Sequence, residues 1–397
     1  MKITTIGGVL AGAILFSGTA FAGPQMTFGP EDKGVLQLDY KGQFQMTVRD
    51  IGSGTNNENT TSNFNFRRNR LALMGAYGDM FSLYVQTEFT EDANVGTLKV
   101  ADANQGTSFQ MLDAVMRFKF DDALKVNVGK FKYNFSRENL EACENPLTLD
   151  RSLFIRAPYV TTRDMGVAVW GNAFQDIFQY RLDVMEGRKA VSGDAAPDSS
   201  FRTSLRAHVT LLDPEKEYGY KGTYMGKKKV LTVGAAYQFE PNVAYSNTVT
   251  KTGGKDYKAW TVDAFFEYPL STIGTATVSG AYAKYDLDKA YQGANPDAGT
   301  IDLNGEKNGY YMKAGYMLPN LPLQFFARYE KWTFAKLNGV YDQRVDWFGG
   351  GANYYFRDQN LKLTFEASNT GFHKGTGTTV DGSKDFMTYI TQLQLIF

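Results

Sequence analysis

The chain has 397 residues with 42 basic and 42 acidic side chains, so its formal net charge is zero and charge gives no argument for a nucleic-acid partner. The single cysteine, Cys143, excludes an internal disulfide framework and a CxxCH haem-attachment motif. Aromatic residues make up 14% of the chain, yet the mean hydropathy is only −0.35. These values fit an exported soluble β-protein or an outer-membrane barrel, in which lipid-facing and lumen-facing residues average out.

Residues 1–22 have the pattern of a secretory signal peptide. Lys2 supplies the charged start, an apolar run from Ile6 to Phe16 follows, and "AFA" ending at Ala22 is a small-residue cleavage site. The apolar run is shorter than the roughly 20 residues that a membrane-spanning helix needs. We therefore expect export through a cleaved signal, with the mature domain over residues 23–397.

Sixteen segments of alternating polar and apolar residues follow the signal, and this alternation is typical of β-strands. They lie at about 35–50, 63–78, 80–92, 107–120, 123–135, 165–171, 173–186, 199–213, 229–240, 256–269, 273–286, 306–318, 321–335, 342–356, 360–372 and 385–397. Short turns such as "YGDM" alternate with long polar segments such as "IGSGTNNENTTS". The exception is 214–228, which is long where a short turn is expected.

This pattern of alternating segments and of short and long connections predicts an all-β fold. We expect a transmembrane up-and-down antiparallel β-barrel of about 16 strands in the bacterial outer membrane. Its short turns would face the periplasm and its long loops the outside of the cell. Because the bilayer offers no water to an open sheet edge, the last strand must pair with the first. The apolar face of each strand would contact lipid and the charged face a watery lumen.

Alternation also predicts which charged side chains point into the lumen. The basic ones are Arg49, Arg68, Arg70, Arg117, Lys119, Arg181, Arg202, Arg206, Lys313, Arg328 and Lys362; the acidic ones are Asp39, Glu88, Asp113, Asp183, Asp263, Glu267, Glu330 and Glu366. Rows of arginine and lysine favour anions, because their donors replace hydration water around an oxyanion. In the alternative interpretation these cations pair with neighbouring carboxylates and line a wide, weakly selective pore.

The segment 136–164 is the candidate constriction loop. It mixes apolar residues with the arginines at positions 137, 151, 156 and 163. Long loops without regular structure are usually functional, so we expect this loop to fold into the lumen and to present Arg151 and Arg156 to the solute. A surface or intersubunit loop is the alternative.

Three stretches carry a family resemblance: "NFRRNRLALMGAYGDMFSLYVQTEF", "LKVNVGKFKYNFSRENL" and "LDRSLFIRAPYVTTRDMGVAVWG". Over roughly residues 65–185 the chain resembles the phosphate-selective porin O and P family of Gram-negative outer-membrane porins. The resemblance implies a trimeric sixteen-stranded barrel with a row of pore arginines and lysines near the constriction. By motif these basic residues are Arg67, Arg68, Lys130 and Lys132. The arginine row corresponds to Arg202, Ser204 and Arg206, so its middle arginine is absent.

These observations predict a passive porin for ions and small hydrophilic solutes, with a mild preference for anions such as phosphate or other oxyanions. Its partners would be outer-membrane lipid, those solutes and two further copies in a homotrimer, and no cofactor is expected. The chain has only two histidines and no HExxH, CxxC, GxSxG or P-loop motif, so no enzyme is expected. The alternative is a barrel sheath around a multihaem cytochrome that carries electrons across the outer membrane.

Overall fold

The computed structural model describes residues 23–56, 58–90, 108–152, 162–187, 200–247, 250–286, 306–337, 341–374 and 385–397. The predicted signal peptide and Arg156 lie outside these residues. No helix among them is long and apolar enough to span a membrane.

Antiparallel strands account for most of the described chain. In chain order they are β1 Gln25–Phe28, β2 Gly34–Ser53, β3 Asn59–Tyr77, β4 Phe81–Thr90, β5 Ser108–Lys119, β6 Lys125–Lys132, β7 Arg163–Ala173, β8 Phe178–Met185, β9 Arg202–Thr210, β10 Val230–Asn247, β11 Thr252–Pro269, β12 Thr275–Asp286, β13 Glu306–Met317, β14 Leu323–Leu337, β15 Tyr341–Arg357, β16 Leu361–Lys374 and β17 Phe386–Ile396. A 3-10 turn, Pro30–Asp32, precedes β2, and the short helix α1 spans Arg137–Leu140.

The sheet closes on itself. Each strand from β2 to β17 pairs with the next, and β17 pairs with β2, with Ile396 opposite Lys41. Beyond this register the Tyr40 N–H donates to the Phe397 carbonyl at 2.6 Å, and the Phe397 N–H donates back at 3.1 Å. The predicted sixteen-stranded antiparallel barrel is therefore confirmed. Closure leaves no open edge between β2 and β17, as a bilayer requires.

The strand β1 was not predicted. It pairs with Gly34–Gln37 of β2, beyond the point where β17 ends, and all four of its residues are exposed. A run this short, without a buried face, lacks the periodicity by which the other strands are recognised.

The two faces of the barrel differ as expected for a membrane protein. In β9, Arg202, Arg206 and His208 are buried, while Leu205 and Val209 are exposed. Exposed aromatic side chains lie at the end with the short turns, among them Tyr77, Phe81, Phe120, Tyr316 and Phe356. Polar groups inside and apolar groups outside are the reverse of a soluble fold and match an outward apolar band with an interfacial aromatic girdle.

Two connections fold into the barrel from opposite ends. The lumen loop, residues 133–162 between β6 and β7, enters from the end with the long loops, and 133–152 and 162 of it are described. The inserted turn, residues 211–229 between β9 and β10, enters from the other end. They meet through backbone hydrogen bonds: the Ala142 N–H donates to the Tyr220 carbonyl at 2.9 Å and the Tyr220 N–H to the Leu140 carbonyl at 3.2 Å. The described parts of these two segments therefore fill part of the inside of the barrel.

Candidate functional site

A β-bulge in β3 turns two consecutive arginines towards the lumen loop. Arg68 lies opposite Gln43 and Phe66 opposite Phe44, which leaves Arg67 as the extra residue. Asp150 of the lumen loop accepts hydrogen bonds from Arg67 Nε at 2.7 Å and from Arg68 Nη2 at 2.9 Å. Burial alone would raise the pKa of Asp150, but the two guanidinium groups hold it well below its usual range.

On the opposite side, strands β9–β14 form what we term the packed wall, where basic side chains hold the lumen loop. Arg206 donates to Asp263 at 2.6 and 2.8 Å and to the Phe135 carbonyl at 2.9 Å. Lys313 pairs with Glu138 of α1, and Arg328 Nη1 donates to the loop carbonyl of residue 150 at 2.7 Å. These contacts occupy hydrogen-bond donors that would otherwise be available to a solute.

The inserted turn is anchored to the lumen loop by one buried ion pair. Arg137 Nη1 and Nη2 donate to the two carboxylate oxygens of Glu215 at 2.6 and 2.7 Å. Thr232 of β10 and Tyr224 of the turn donate to the same carboxylate at 2.7 and 2.6 Å. Burial would raise the pKa of Glu215, but Arg137 and these donors lower it to about 2.

Tyr220 gives the inserted turn a second anchor. The guanidinium carbons of Arg137, Arg181 and Arg206 lie 4.6, 4.7 and 5.3 Å from the centre of its ring. Its hydroxyl is 2.5 Å from His208 Nδ1. Cation–π contacts of this kind strengthen when they are shielded from water, so Tyr220 ties the turn to the lumen faces of β8 and β9.

A cavity of about 120 Å³ remains between the two inserted segments and strands β2–β7. Both ends of β6 line it, Lys125 and Lys132, which are separated by roughly 23 Å at about 3.3 Å per residue. Its charged lining has six basic and three acidic side chains, an excess of three positive charges: Lys41, Arg70, Arg117, Lys125, Lys132 and Arg163 against Asp113, Glu144 and Glu217. We term strands β4–β7 the cavity wall.

Three of the six basic side chains are committed to ion pairs. Lys41 pairs with Glu144 of the lumen loop. Arg70 pairs with Glu88 at 2.8 Å, and Arg163 with Asp113 at 3.0 Å.

The other three basic side chains are less engaged. Among the residues that the structure describes, Arg117 and Lys132 have no carboxylate partner, and Lys125 has only a 3.8 Å contact with the exposed Asp122. Lys132 donates instead to the Glu141 carbonyl. Three cations on the cavity wall thus remain able to attract a solute anion.

Aromatic rings share the lining with these cations. Trp170 packs edge-on against Tyr218, with ring centres 5.3 Å apart, and Tyr218 packs against Phe131 at 6.1 Å. Lys125 Nζ lies 4.5 Å from the centre of the Trp170 ring, and the Arg117 guanidinium 5.4 Å from that of Tyr84. The cavity is therefore amphipathic.

The predicted site residues fall into distinct positions. Arg70 and Lys132 line the cavity, and Arg68 borders a smaller space beside it. Five other predicted residues are engaged in contacts with neighbouring strands or with the inserted segments: Arg181, Arg202, Arg206, Lys313 and Arg328. Arg151 lies within the lumen loop, where Nη2 donates to Cys143 Sγ at 2.7 Å.

Lys130 differs from its predicted position in the pore. It lies on the face of β6 that carries Val126 and Val128, opposite Met165 of β7, and its amine donates to the Met111 carbonyl at 2.9 Å. Strict alternation from Lys125 places it outside the lumen. Lys132 has the same parity, but it ends the strand and its long side chain reaches the lumen loop.

Several lining residues were missed as site residues: Lys41, Lys125, Arg163, Tyr84, Trp170 and Glu217. The alternation in "KVNVGKF" already places Lys125 on the lumen face. Lys41 lies two residues after Asp39, which alternation places in the lumen, so the same pattern places Lys41 there too. Nothing in the sequence indicates that Glu217, in a turn, enters the barrel.

Two solved structures of outer-membrane proteins share the fold of this chain. OmpF of Salmonella typhi, in a complex with daunomycin, matches with a TM-score of 0.58 at 14% identity over 93% of this chain and 100% of that chain. The trimer form of OmpT of Vibrio cholerae matches with a TM-score of 0.52 at 14% identity over 90% and 99%.

At the sequence level, an uncharacterized protein of Aquifex aeolicus is 24% identical over 356 residues, which cover 82% of this chain and 80% of that protein. The family model described as phosphate-selective porin O and P matches residues 38–397. The chain therefore belongs to the phosphate-selective porin O and P family, whose members are outer-membrane channels for passive diffusion.

Proposed function

We propose that this porin lets ions and small hydrophilic solutes diffuse down their gradients with a mild preference for anions, phosphate and other oxyanions included. The observation that carries the proposal is the positive excess of the cavity, in which Arg117, Lys125 and Lys132 lack a close carboxylate among the residues that the structure describes. Fixed cations in a narrow passage with low-dielectric walls raise the local concentration of anions.

The preference is mild because half of the lining cations are already neutralised. Lys41, Arg70 and Arg163 each pair with a carboxylate. The arginine row of β9 is also occupied, since Arg202 pairs with Asp164 at 2.7 Å and Arg206 with Asp263 at 2.6 Å. Such pairs leave few donors for a tightly held phosphate, so the proposal is a weakly selective pore.

The lumen loop acts as the constriction in this proposal. Its described part fills the space beside the cavity, and Leu140, Cys143 and Glu144 line the passage itself. Passage requires no cofactor and no energy input. We further infer a homotrimer surrounded by outer-membrane lipid, and the trimer form of OmpT, which has a similar fold, supports this assembly.

A sheath around a multihaem cytochrome receives no support from the described residues. That role needs an open lumen, whereas Arg137, Glu138 and Tyr220 of the two inserted segments are almost fully buried inside the barrel. Both segments would have to leave before a cytochrome could enter.

The test is the zero-current potential of the purified protein in a planar bilayer under a potassium chloride gradient. We expect the chloride-selective sign, and we expect Lys132→Gln to lower the anion-to-cation permeability ratio roughly two-fold, because it removes a basic side chain from the passage. Lys130→Gln is the matched control, since it removes the same charge two residues away on the outer face. A cation-selective potential, or equal effects of the two variants, would contradict the proposal.

A further inference from the structure

The cavity wall offers an anion aromatic surface in addition to positive charge. Phe131, Tyr84, Trp170 and Tyr218 line the same space as the unpaired cations. An inorganic oxyanion presents hydrated oxygens on every side, so contact with these rings removes water without returning a hydrogen bond. An organic anion has one polar end and one apolar end, and it satisfies both kinds of lining at once.

The cations and the rings are interleaved rather than segregated. Lys125 lies 4.5 Å from the centre of the Trp170 ring, and Arg117 lies 5.4 Å from that of Tyr84. A carboxylate that approaches either cation therefore brings the atoms behind it against an aromatic face. Edge-on packing of a solute ring against Trp170 would repeat the geometry that Tyr218 already adopts against it.

One donor in the cavity lacks a partner among the residues that the structure describes. Arg117 Nε is buried and forms no hydrogen bond within the described part of the chain. A buried polar group without a partner is costly and is satisfied in most proteins. A carboxylate bound beside Tyr84 would supply an acceptor at this position, and guanidinium groups bind carboxylates with paired, charge-assisted hydrogen bonds.

The size of the cavity limits the solute. Its volume of about 120 Å³ is of the same order as the roughly 150 Å³ cavity that accommodates benzene in another protein. The volume therefore excludes solutes of two or more rings unless the lumen loop or the inserted turn moves.

We propose that the cavity is a binding site for single-ring aromatic carboxylates, which it selects over inorganic phosphate. The carboxylate contacts Arg117 and the ring packs against Trp170 or Tyr84. This inference rests on the proposed anion-preferring passage and adds the substrate class to it.

The experiment uses benzoate and inorganic phosphate as probes at equal concentration in single-channel recordings of the full mature chain in potassium chloride. We expect benzoate to interrupt the chloride current in discrete closures whose frequency rises with concentration, and phosphate to produce at least several-fold fewer. Trp170→Ala is expected to shorten the benzoate closures several-fold. Trp260→Ala is the matched control, because Trp260 is a tryptophan on the outer face of β11.

Arg117→Gln provides a second variant if Trp170→Ala gives no channels. It retains every aromatic ring, and we expect it to reduce the frequency of benzoate closures several-fold. Equal closures by benzoate and phosphate, or no difference between the Trp170 and Trp260 variants, would overturn the aromatic site while leaving the chloride-selective potential in place. A cation-selective potential would instead overturn the proposed function together with this site.

Discussion

The packed wall and the cavity wall both present buried cations to the inside of the barrel, but they use them differently. On the packed wall Arg206 and Lys313 meet carboxylates, and Arg328 meets loop carbonyls. On the cavity wall Arg117 has no carboxylate partner and Arg117 Nε no hydrogen-bond partner among the residues described. The same residue types on the same face are thus anchors or solute contacts according to whether a loop lies against them.

The largest expected effect comes from releasing the inserted segments. Glu215→Gln removes the charge that pairs with Arg137, and breaking a buried pair costs about 3–5 kcal/mol. We expect the lumen loop and inserted turn to separate part of the time, which raises single-channel conductance and current noise.

Asp176→Asn is the control for this variant. Its pair with Lys216, at 2.5 Å, is partly exposed, with side chains 20% and 55% accessible, and such surface pairs are worth only about 0–1 kcal/mol. Both variants are to be recorded under the same conditions. Conductance of Glu215→Gln equal to that of Asp176→Asn would mean that this ion pair does not hold the two segments together.

A pair of variants with an intermediate effect would separate anchoring from selectivity. Arg206→Gln leaves Asp263 buried without its charge partner, so we expect a lower thermal unfolding midpoint with little change in the zero-current potential. Arg117→Gln breaks no ion pair among the described residues, so we expect normal unfolding and a roughly two-fold lower anion-to-cation permeability ratio. If both variants change the same property, either the unfolding midpoint or the permeability ratio, the proposed difference between the two walls is wrong.

The smallest expected effect is a dependence of selectivity on pH. Burial raises the pKa of Glu217, although Lys125, Arg117, Lys228 and Lys221 oppose the shift. As the pH falls, this carboxylate is protonated earlier than an ordinary glutamate and the cavity loses a negative charge. We therefore expect anion preference to increase on mild acidification.

Glu217→Gln should show the higher anion preference already at neutral pH and should lose this response. Of the other two carboxylates in the cavity, Asp113 is paired with Arg163 at 3.0 Å, and Glu144 stays ionised because neighbouring cations hold its pKa below the usual range despite burial. The measurement is the zero-current potential between neutral and mildly acidic pH. A pH response that survives in Glu217→Gln would assign it to another group.

The strands could be predicted almost completely from the sequence, because a barrel in lipid exposes one face of each strand to hydrocarbon and the other to water. All sixteen predicted strands correspond to β2–β17, with shifts at their ends of up to seven residues, the largest at the end of β10. The turn "GNAF" shows the limit: β7 continues through Ala173 and turns over 174–177. Alternation locates a strand well, but it does not mark where pairing stops.

The site could be predicted only in part. Alternation gives the face of Arg117 and Arg206 but not which of them a loop will reach. The bulge at Arg67 shifts the alternation by one residue, and no residue type in "NFRRNR" marks it. For Lys130 the error is of another kind. The family motif placed it in the pore, although the alternation of β6 places it on the outer face. Long-range contacts such as that of Arg137 with Glu215 depend on two loops meeting in space.

The meeting of the lumen loop and the inserted turn also bears on the order of assembly. Ala142 and Tyr220 are joined by a backbone hydrogen bond, yet three strands, β7–β9, lie between them in the chain. Each segment starts from a different side of the membrane, and contacts that are distant in sequence carry the larger loop-closure cost. We expect these bonds to be among the last to form, so the nascent barrel would pass through a hollow stage that conducts more than the finished pore.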